Sequence, residues 1–356
     1  MGRIRLFVSS LFFVFSVAVT YAQEILTATL QHGDELTVFN GFFAFVNAHD
    51  AAVDGDIISL SPGTFGGTTI TKAVTIQGAG AIVNKEAGTG ITYLEGSYSK
   101  ANNGGYSSVN GPYIELSDTT HKGLVLEGLY FNSNLEFKKA VKDAVVRKCV
   151  VNEKFDFTTA YNLHIDRCNM NTFSIANSST NVVVDNSRLG WVCMYESYDN
   201  RANSTTSTLS FRNCYLGGVN KNITAFFLNN IIASVYYGEY NWGAKYYYGQ
   251  SLKSTCSAYN NLFLSSKGNA DDVIQQDGNM FIDHADIYED ANNCVLTEEA
   301  ASTYLGQDGT QVGLYGGMTP YSLVPTYPQI VENNIAAQST ADGILKVSVK
   351  VAAQSK

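Results

Sequence analysis

Leu163-His-Ile-Asp-Arg-Cys168 is followed two residues on by Met170, and the same six-residue pattern recurs along most of the chain. Earlier copies are Val74-Thr-Ile-Gln-Gly-Ala79, Leu124-Val-Leu-Glu-Gly-Leu129 and Ala144-Val-Val-Arg-Lys-Cys149. Later ones are Val182-Val-Val-Asp-Asn-Ser187, Leu209-Ser-Phe-Arg-Asn-Cys214, Ala225-Phe-Phe-Leu-Asn-Asn230 and Cys256-Ser-Ala-Tyr-Asn-Asn261. The first and third positions are apolar in every copy. The sixth is small, apolar or Asn, and an apolar residue usually returns two places later (Val151, Met170, Leu189, Leu216, Ile232, Phe263). Positions two apart on one face mark a β-strand. The three-residue step from Ile165 to Cys168 cannot keep one face of a flat strand inward, but a chain turning a corner can do so.

From Leu129 onward the sixth positions lie 20, 19, 19, 27, 16 and 31 residues apart. A period near twenty, with strands and corners, predicts a β-solenoid in which each coil buries its apolar side on its neighbours. All five prolines (Pro62, Pro112, Pro320, Pro325, Pro328) fall outside residues 113–319, so the expected ladder is free of residues that cannot donate to it. Asn and Gly crowd the corners, where left-handed backbone angles cost them least. A leucine-rich repeat would need an LxxLxL pattern, and a sandwich would not repeat its corner column.

Outside the repeat, Asp56-Ile-Ile-Ser-Leu-Ser-Pro-Gly-Thr-Phe65 leads into Val74-Thr-Ile-Gln-Gly. These residues resemble the opening of right-handed parallel β-helix proteins of the pectate-lyase-like superfamily, and the resemblance covers about residues 36–265. It implies that Gly41 to Val53, with Phe42, Phe45, Val46 and Ala52 at helical spacing, is a short helix plugging the first coil. Asp308-Gly-Thr-Gln-Val-Gly-Leu-Tyr-Gly-Gly-Met-Thr-Pro320, with the strand-like tail after it, resembles the ends of secreted β-helix proteins of Gram-negative bacteria. The expected architecture is all-β: a right-handed parallel β-helix (β-solenoid) with an N-terminal capping helix and a C-terminal closing segment. Its expected divisions are a signal peptide (1–22), a cap (23–56), the β-helix (57–300) and a closing segment with tail (301–356).

The signal peptide is read from Arg3 and Arg5, the apolar run Leu6 to Val19 and the small residues Thr20 and Ala22 around a cleavage site. The run is shorter than the about 20 residues of a membrane span, so no membrane span is expected after its removal. The expected location is periplasmic, extracellular or on the cell surface. With 23 Lys and Arg against 32 Asp and Glu the chain carries −9, which argues against nucleic acid as a partner. The 45% hydrophobic and 15% charged composition excludes a disordered or coiled-coil chain. The six cysteines show no CxxC and no zinc-like Cys/His spacing; three of them, Cys149, Cys168 and Cys214, hold the corner position, and Cys149 and Cys168 on adjacent coils read as free buried thiols.

Function must then sit on outward positions. The fourth position reads Gln77, Glu127, Arg147, Asp166, Asp185, Arg212. The reading favoured here is a solvated ladder in which arginines neutralise the stacked acids. The alternative makes Asp166 and Asp185 an acid/base pair or cation site, with Arg147 and Arg212 holding uronates. The second position (Val125, Val145, His164, Val183, Phe226) is apolar enough to predict a covering layer, with His164 packed beneath it. Two long insertions, beginning at Tyr195 and at Tyr236, should emerge on one side. They offer Tyr195, Tyr198, Tyr236, Tyr240, Trp242 and Tyr247 with Glu196, Asp199 and Glu239. Flat aromatic faces suit sugar rings and carboxylates suit their hydroxyls, so the expected partner is a polysaccharide or cell-surface glycan. The hydrolase motifs of the resembled superfamily are missing except for an isolated Asp271-Asp272, and no lyase motif surrounds the ladder acids. The expectation is binding without catalysis; the alternatives are a uronate-polysaccharide lyase or glycosidase, and a structural or adhesive surface protein. No cofactor is expected. Apart from the cation-site alternative at Asp166 and Asp185, the acid-rich run Asp283-His-Ala-Asp-Ile-Tyr-Glu-Asp290 could ligate calcium through its oxygens, but it lacks EF-hand spacing and reads as a surface loop.

Overall fold

The computed structural model describes residues 26–101, 104–109, 113–114, 123–175, 179–194, 208–221, 223–238, 246–248, 252, 255–264, 278–282, 286–335, 342–344 and 347–352. The repeat pattern becomes two long parallel sheets. In the first, Ile57–Leu60 pairs with Thr75–Gln77, followed by Val125–Glu127, Val141–Arg147, Ala160–Asp166, Thr180–Asp185, Leu209–Arg212, Phe226–Leu228 and Ser257–Tyr259. The second runs from Gly63–Gly66 through Thr92–Glu95, Tyr130–Phe131, Val150–Phe157, Asn169–Ile175, Arg188–Met194, Tyr215–Asn220 and Ile231–Ile232 to Leu262–Phe263 and Met280–Phe281. The chain visits the sheets alternately, one coil per repeat, so the molecule is all-β with the architecture of a parallel β-solenoid. The first position of one copy sits over the first of the next: Ala144 pairs with Leu163, Leu163 with Val182 and Val182 with Leu209.

The three-residue step is explained by the fifth position. Gly128, Lys148, Arg167, Asn186, Asn213, Asn229 and Asn260 all have positive φ, between 43° and 67°. One left-handed residue swings the chain from the first sheet into the second and returns the sixth side chain to the interior. Asn and Gly adopt this conformation readily. Lys148 and Arg167 adopt it at a cost of about 1–2 kcal/mol each, which the coil packing must offset.

Inside the corner the sixth positions form one file. Cys149, Cys168, Ser187, Cys214, Asn230 and Asn261 are each fully buried, and all six cysteines are free thiols. The file also carries hydrogen bonds. The amide of Cys168 donates to Ser187 Oγ (3.0 Å), that of Cys214 to Asn230 Oδ1 (2.8 Å), that of Asn230 to Asn261 Oδ1 (2.9 Å) and that of Asn261 to Asn279 Oδ1 (2.9 Å). A buried amide without a partner costs about 1–3 kcal/mol, so Ser and Asn in this column satisfy the bend rather than merely filling it. Asn279 extends the file into a further half coil, Gly278-Asn279-Met280-Phe281, beyond the last copy visible in the repeat. Beside the file, rings stack between coils: Phe155 on Phe173 (5.7 Å between centroids) and Phe211 on Phe227 (5.4 Å).

At the N-terminal end, Thr27–His32 pairs antiparallel with Glu35–Asn40 and with Ile57–Leu60. A helix, Ala44–Ala51, packs on these first strands, burying Ala44, Phe45, Val46, Ala48 and His49. The His49 imidazole accepts from the Thr71 amide at Nε2 (3.1 Å), while its buried Nδ1 has no partner. Burial, with the charge of Lys72, lowers its pKa to about 4.

The C-terminal residues do not stack as another coil. Residues 304–328 run back along the corner, in reverse order of the coils. The Gln307 amide donates to Asn229 Oδ1 (2.9 Å), and Asn186 Nδ2 donates to the carbonyls of Leu314 (2.9 Å) and Gly316 (2.8 Å). Lys148 Nζ donates to the Val324 carbonyl, and Thr326 donates to Glu127 Oε1 from its amide (2.5 Å) and its hydroxyl (2.7 Å). The fifth-position side chains thus turn outward and tie down a strap.

Candidate ligand-binding face

The strap changes the reading of the fourth-position ladder. It lies over the fourth and fifth positions, while Val125, Val145, Val183 and Phe226 of the second position stay half-buried. Glu127 is fully buried, between Arg147 Nε at 2.6 Å and Thr326. Asp166, 8% exposed, is held by both Nε and Nη2 of Arg167, the nearer at 2.6 Å. Asp185 accepts from Arg212 through both oxygens (2.6 Å each) and from His164 Nε2 (2.9 Å). His164 is therefore a half-exposed hydrogen-bond partner of Asp185, not a packed histidine. Burial opposes ionisation of Asp185, but the hydrogen bonds from His164 and Arg212 outweigh it and hold the carboxyl below its usual range. Arg212 does neutralise Asp185, as the favoured reading had it, but Asp166 is held by Arg167 of the fifth position, Arg147 turns to Glu127, and the ladder is partly roofed rather than solvated. Each oxygen of Asp166 and Asp185 accepts at least one hydrogen bond from Arg167, Arg212 or His164, and Arg147 and Arg212 are both engaged. Burial also pushes the Cys168 and Cys214 thiols up, away from thiolate chemistry.

The second sheet is different. Its strands alternate too, and the partners of the core phenylalanines face outward in two columns. Lys154, Thr172, Trp191 and Gly218 are register partners in one; Glu136, Asp156, Ser174 and Cys193 are partners in the other. Neighbours in a column stand about 4.8 Å apart. Trp191 is 37% exposed. Its ring lies against Gly218, where a Cβ would come within 2.5 Å of an indole carbon, so only glycine admits it. Tyr236 meets the same indole edge-on (5.2 Å, 88°).

Both insertions leave this sheet. One follows the strand Arg188–Met194 and the other follows Val235–Gly238, with Tyr215–Asn220 paired between them. Their bases share a side, as the repeat implied. Tyr195, Glu196, Tyr198, Asp199, Glu239, Tyr240 and Trp242 lie outside the described residues. The backbone of Tyr247 pairs with Tyr237 in an antiparallel hairpin (Val235–Gly238 with Tyr246–Tyr248). Tyr236, expected as a ligand contact, is only 4% exposed and donates its hydroxyl to the Val192 carbonyl (3.4 Å). It supports Trp191 from behind. Trp191 itself was not picked out from sequence, although it is the outward residue four places after the corner of its coil.

In the second column Asp156 is 5% exposed although it projects away from the core between Phe155 and Phe157. Its Oδ2 pairs with Lys154 Nζ (2.9 Å), while Oδ1 has no partner. Ser174, on the next coil, is fully buried and its hydroxyl is likewise unpartnered. Glu136, on the preceding coil, has its carboxyl raised above its usual range by burial and by the Asp156 charge, against Lys138 and Lys154.

Among the described residues no three His, Cys, Asp or Glu gather as a metal site. Of the run 283–290, residues 283–285 lie outside the described residues, and Asp290 accepts from the amides of Asn292 and Asn293 in a local turn. No described helix is long and apolar enough to cross a membrane.

Fold and site together define a parallel β-solenoid with an aromatic and acidic outer face on one sheet. No family model matches the chain, and neither a curated protein nor a solved structure matches it.

Proposed function

We propose that this chain is an exported right-handed β-helix of the pectate-lyase-like kind, plugged by its N-terminal helix, that binds a polysaccharide on the second sheet without transforming it. The observation that carries this reading is the half-exposed Trp191 indole, seated on Gly218 and backed by Tyr236, at the base of both aromatic insertions. A flat ring held rigidly at a surface offers a sugar its apolar face without the entropy cost of ordering a loop. The paired state of Asp166, Asp185, Arg147 and Arg212 supports binding over lyase or glycosidase chemistry on the first sheet. Export is supported by the basic, apolar and small-residue order of residues 1–22.

The test uses the chain from residue 23 on a glycan array, followed by titration calorimetry on the best ligand. Trp191→Ala should weaken binding about tenfold, which is about 1.4 kcal/mol, with no new reducing ends or unsaturated products on long incubation. Wild-type affinity in Trp191→Ala would end this reading. Product formation that stops in Asp166→Ala or Arg212→Ala would replace it with the enzymatic one.

A further inference from the structure

The acidic column beside Trp191 contains more polar capacity than the fold uses. Asp156 and Ser174 are direct partners across adjacent strands, so their side chains leave the same face of the wall about 4.8 Å apart. Both are more than nine-tenths buried, and Asp156 Oδ1 and Ser174 Oγ have no hydrogen-bond partner. Single buried polar atoms elsewhere also lack a partner, Ser133 Oγ, Arg188 Nε and Asn213 Oδ1 among them, but Asp156 and Ser174 are direct register partners on adjacent strands, whereas on the first sheet Asp185 finds Arg212 and His164. A buried unpartnered oxygen is a standing cost, and two on successive coils form one unfilled acceptor beside one hydroxyl that can both donate and accept. The column is not sealed at its flanks, since Glu136, Thr172 and Cys193 are half-buried and Trp191 is exposed.

The missing complement is a hydrogen-bond donor that also accepts, a description met by a sugar hydroxyl and not by a carboxylate or a sulfate. An anionic group would set acceptor against acceptor at Asp156 Oδ1, next to Glu136. The nearest cation, Lys154, is already engaged by Asp156 Oδ2 at 2.9 Å, and the charge of Lys138 bears on Glu136. The whole chain adds a net −9 against anions.

We infer that the glycan bound beside Trp191 is uncharged, with Asp156 Oδ1 and Ser174 Oγ hydrogen-bonding its ring hydroxyls while the indole packs on the ring. This inference rests on the binding reading above. One ring hydroxyl donates to Asp156 Oδ1, and it or its neighbour accepts from Ser174. Asp156 and Ser174 are thus specificity residues, while Trp191 supplies sequence-tolerant affinity.

The experiment measures binding of the chain from residue 23 to cellohexaose, xylohexaose and mannohexaose, and to hexagalacturonate, by titration calorimetry at low salt. At least one neutral hexasaccharide should bind ten times or more tighter than hexagalacturonate. Ser174→Ala should weaken that binding five- to tenfold while leaving the ligand-free melting temperature equal or higher, because it removes an unsatisfied buried hydroxyl. A merely structural serine would not move the two readouts in opposite senses. Asp156→Asn, which keeps the shape but replaces one acceptor by a donor, should weaken the same ligand by a similar factor. Tighter binding of hexagalacturonate, or neutral-sugar binding that depends on Trp191 but not on Ser174 and Asp156, overturns this inference and leaves the binding reading standing. No binding by any of these sugars, on a chain whose array is also blank, overturns both.

Discussion

The two sheets of the solenoid treat their described outward acids in opposite ways. On the first sheet Glu127, Asp166 and Asp185 each meet an arginine, and Glu127 also receives the strap. On the second sheet Asp156 keeps one oxygen unpaired, Ser174 keeps its hydroxyl, and Glu136 is pushed toward its neutral form. Both faces are built by the same coils, so coil packing does not explain the difference. A carboxylate that is fully paired holds architecture together; one left half-paired near an exposed indole is available to a ligand. The mixed-sign ladder, conspicuous in the repeat, is thus the more fully paired of the two faces.

The largest effect expected from this contrast is at Glu127. Replacing it by Ala leaves Arg147 and the Thr326 amide without their partner under the strap. Breaking a buried pair from one side costs about 3–5 kcal/mol, to be read from urea denaturation, with glycan binding per folded molecule unchanged. A cost below about 1 kcal/mol would mean that the strap does not depend on this face, and the distinction between the sheets would lose its structural half.

Next in size is an acid effect that belongs to neither face and must be separated before the two are compared. Burial, with the charge of Lys72, lowers the folded pKa of His49 to about 4, below the unfolded value of 6.5, and the neutral ring accepts from the Thr71 amide. Between those values the unfolded chain binds a proton that the folded chain refuses. Stability is therefore full above pH 6.5 and falls as pH drops toward 4, by about 3 kcal/mol in all. His49→Gln should flatten this part of the stability profile. A slope that persists in His49→Gln would place the acid sensitivity elsewhere.

In that background, Asp185 reports on the first sheet. Its depressed carboxyl contributes stability above the ordinary carboxylate range, and that contribution is lost as pH falls through its folded value. Asp185→Asn should cost about 1 kcal/mol at pH 7, since Arg212 is 45% exposed and the pair is screened by solvent. The deficit should shrink as pH falls below the ordinary carboxylate range and vanish once the folded carboxyl is itself protonated. A binding defect in Asp185→Asn would show that the first face is not purely structural.

How much of this was legible beforehand follows from what repeats. The corner file was readable because its residues recur about every twenty positions and must be small or polar in every coil; Cys149, Cys168, Ser187 and Cys214 stand where the spacing puts them. Lys148 and Arg167 were not readable as left-handed corners, because their conformation is imposed by neighbouring coils against their own preference. The second-sheet columns were missed for a related reason. The register shifts between Val151 and Lys154, so Lys154 falls five places after its corner residue while Thr172 and Trp191 fall four after theirs, and the column breaks on counting at that coil. The strap was invisible to a repeat-based reading. Its residues repeat nothing, and several of its bonds run from fifth-position side chains to main-chain carbonyls such as those of Leu314, Gly316 and Val324, whose spacing no side-chain pattern encodes. Tyr236 was chosen for its ring, but burial and its bond to the Val192 carbonyl make it the support of Trp191, the ring that faces out.

The smallest effect is the one that sets the two faces in direct opposition. Glu136 has a raised carboxyl, so its stability contribution runs contrary to that of Asp185. It is full below the unfolded carboxylate value and is lost as pH rises through the folded one, because burial and Asp156 disfavour the charge. Glu136→Gln removes that penalty. At pH 8 the variant should be more stable than the parent by under about 1 kcal/mol, the scale of a partly exposed charge, and at pH 4 the two should converge. Asp185→Asn changes in the reverse sense over its own range, so the pair of variants, melted side by side against pH, yields difference curves of opposite sign. If Glu136→Gln instead destabilises the chain at pH 8, then Glu136 is ionised and paired like the acids of the first sheet, and the second face loses the half-paired character on which its ligand role rests.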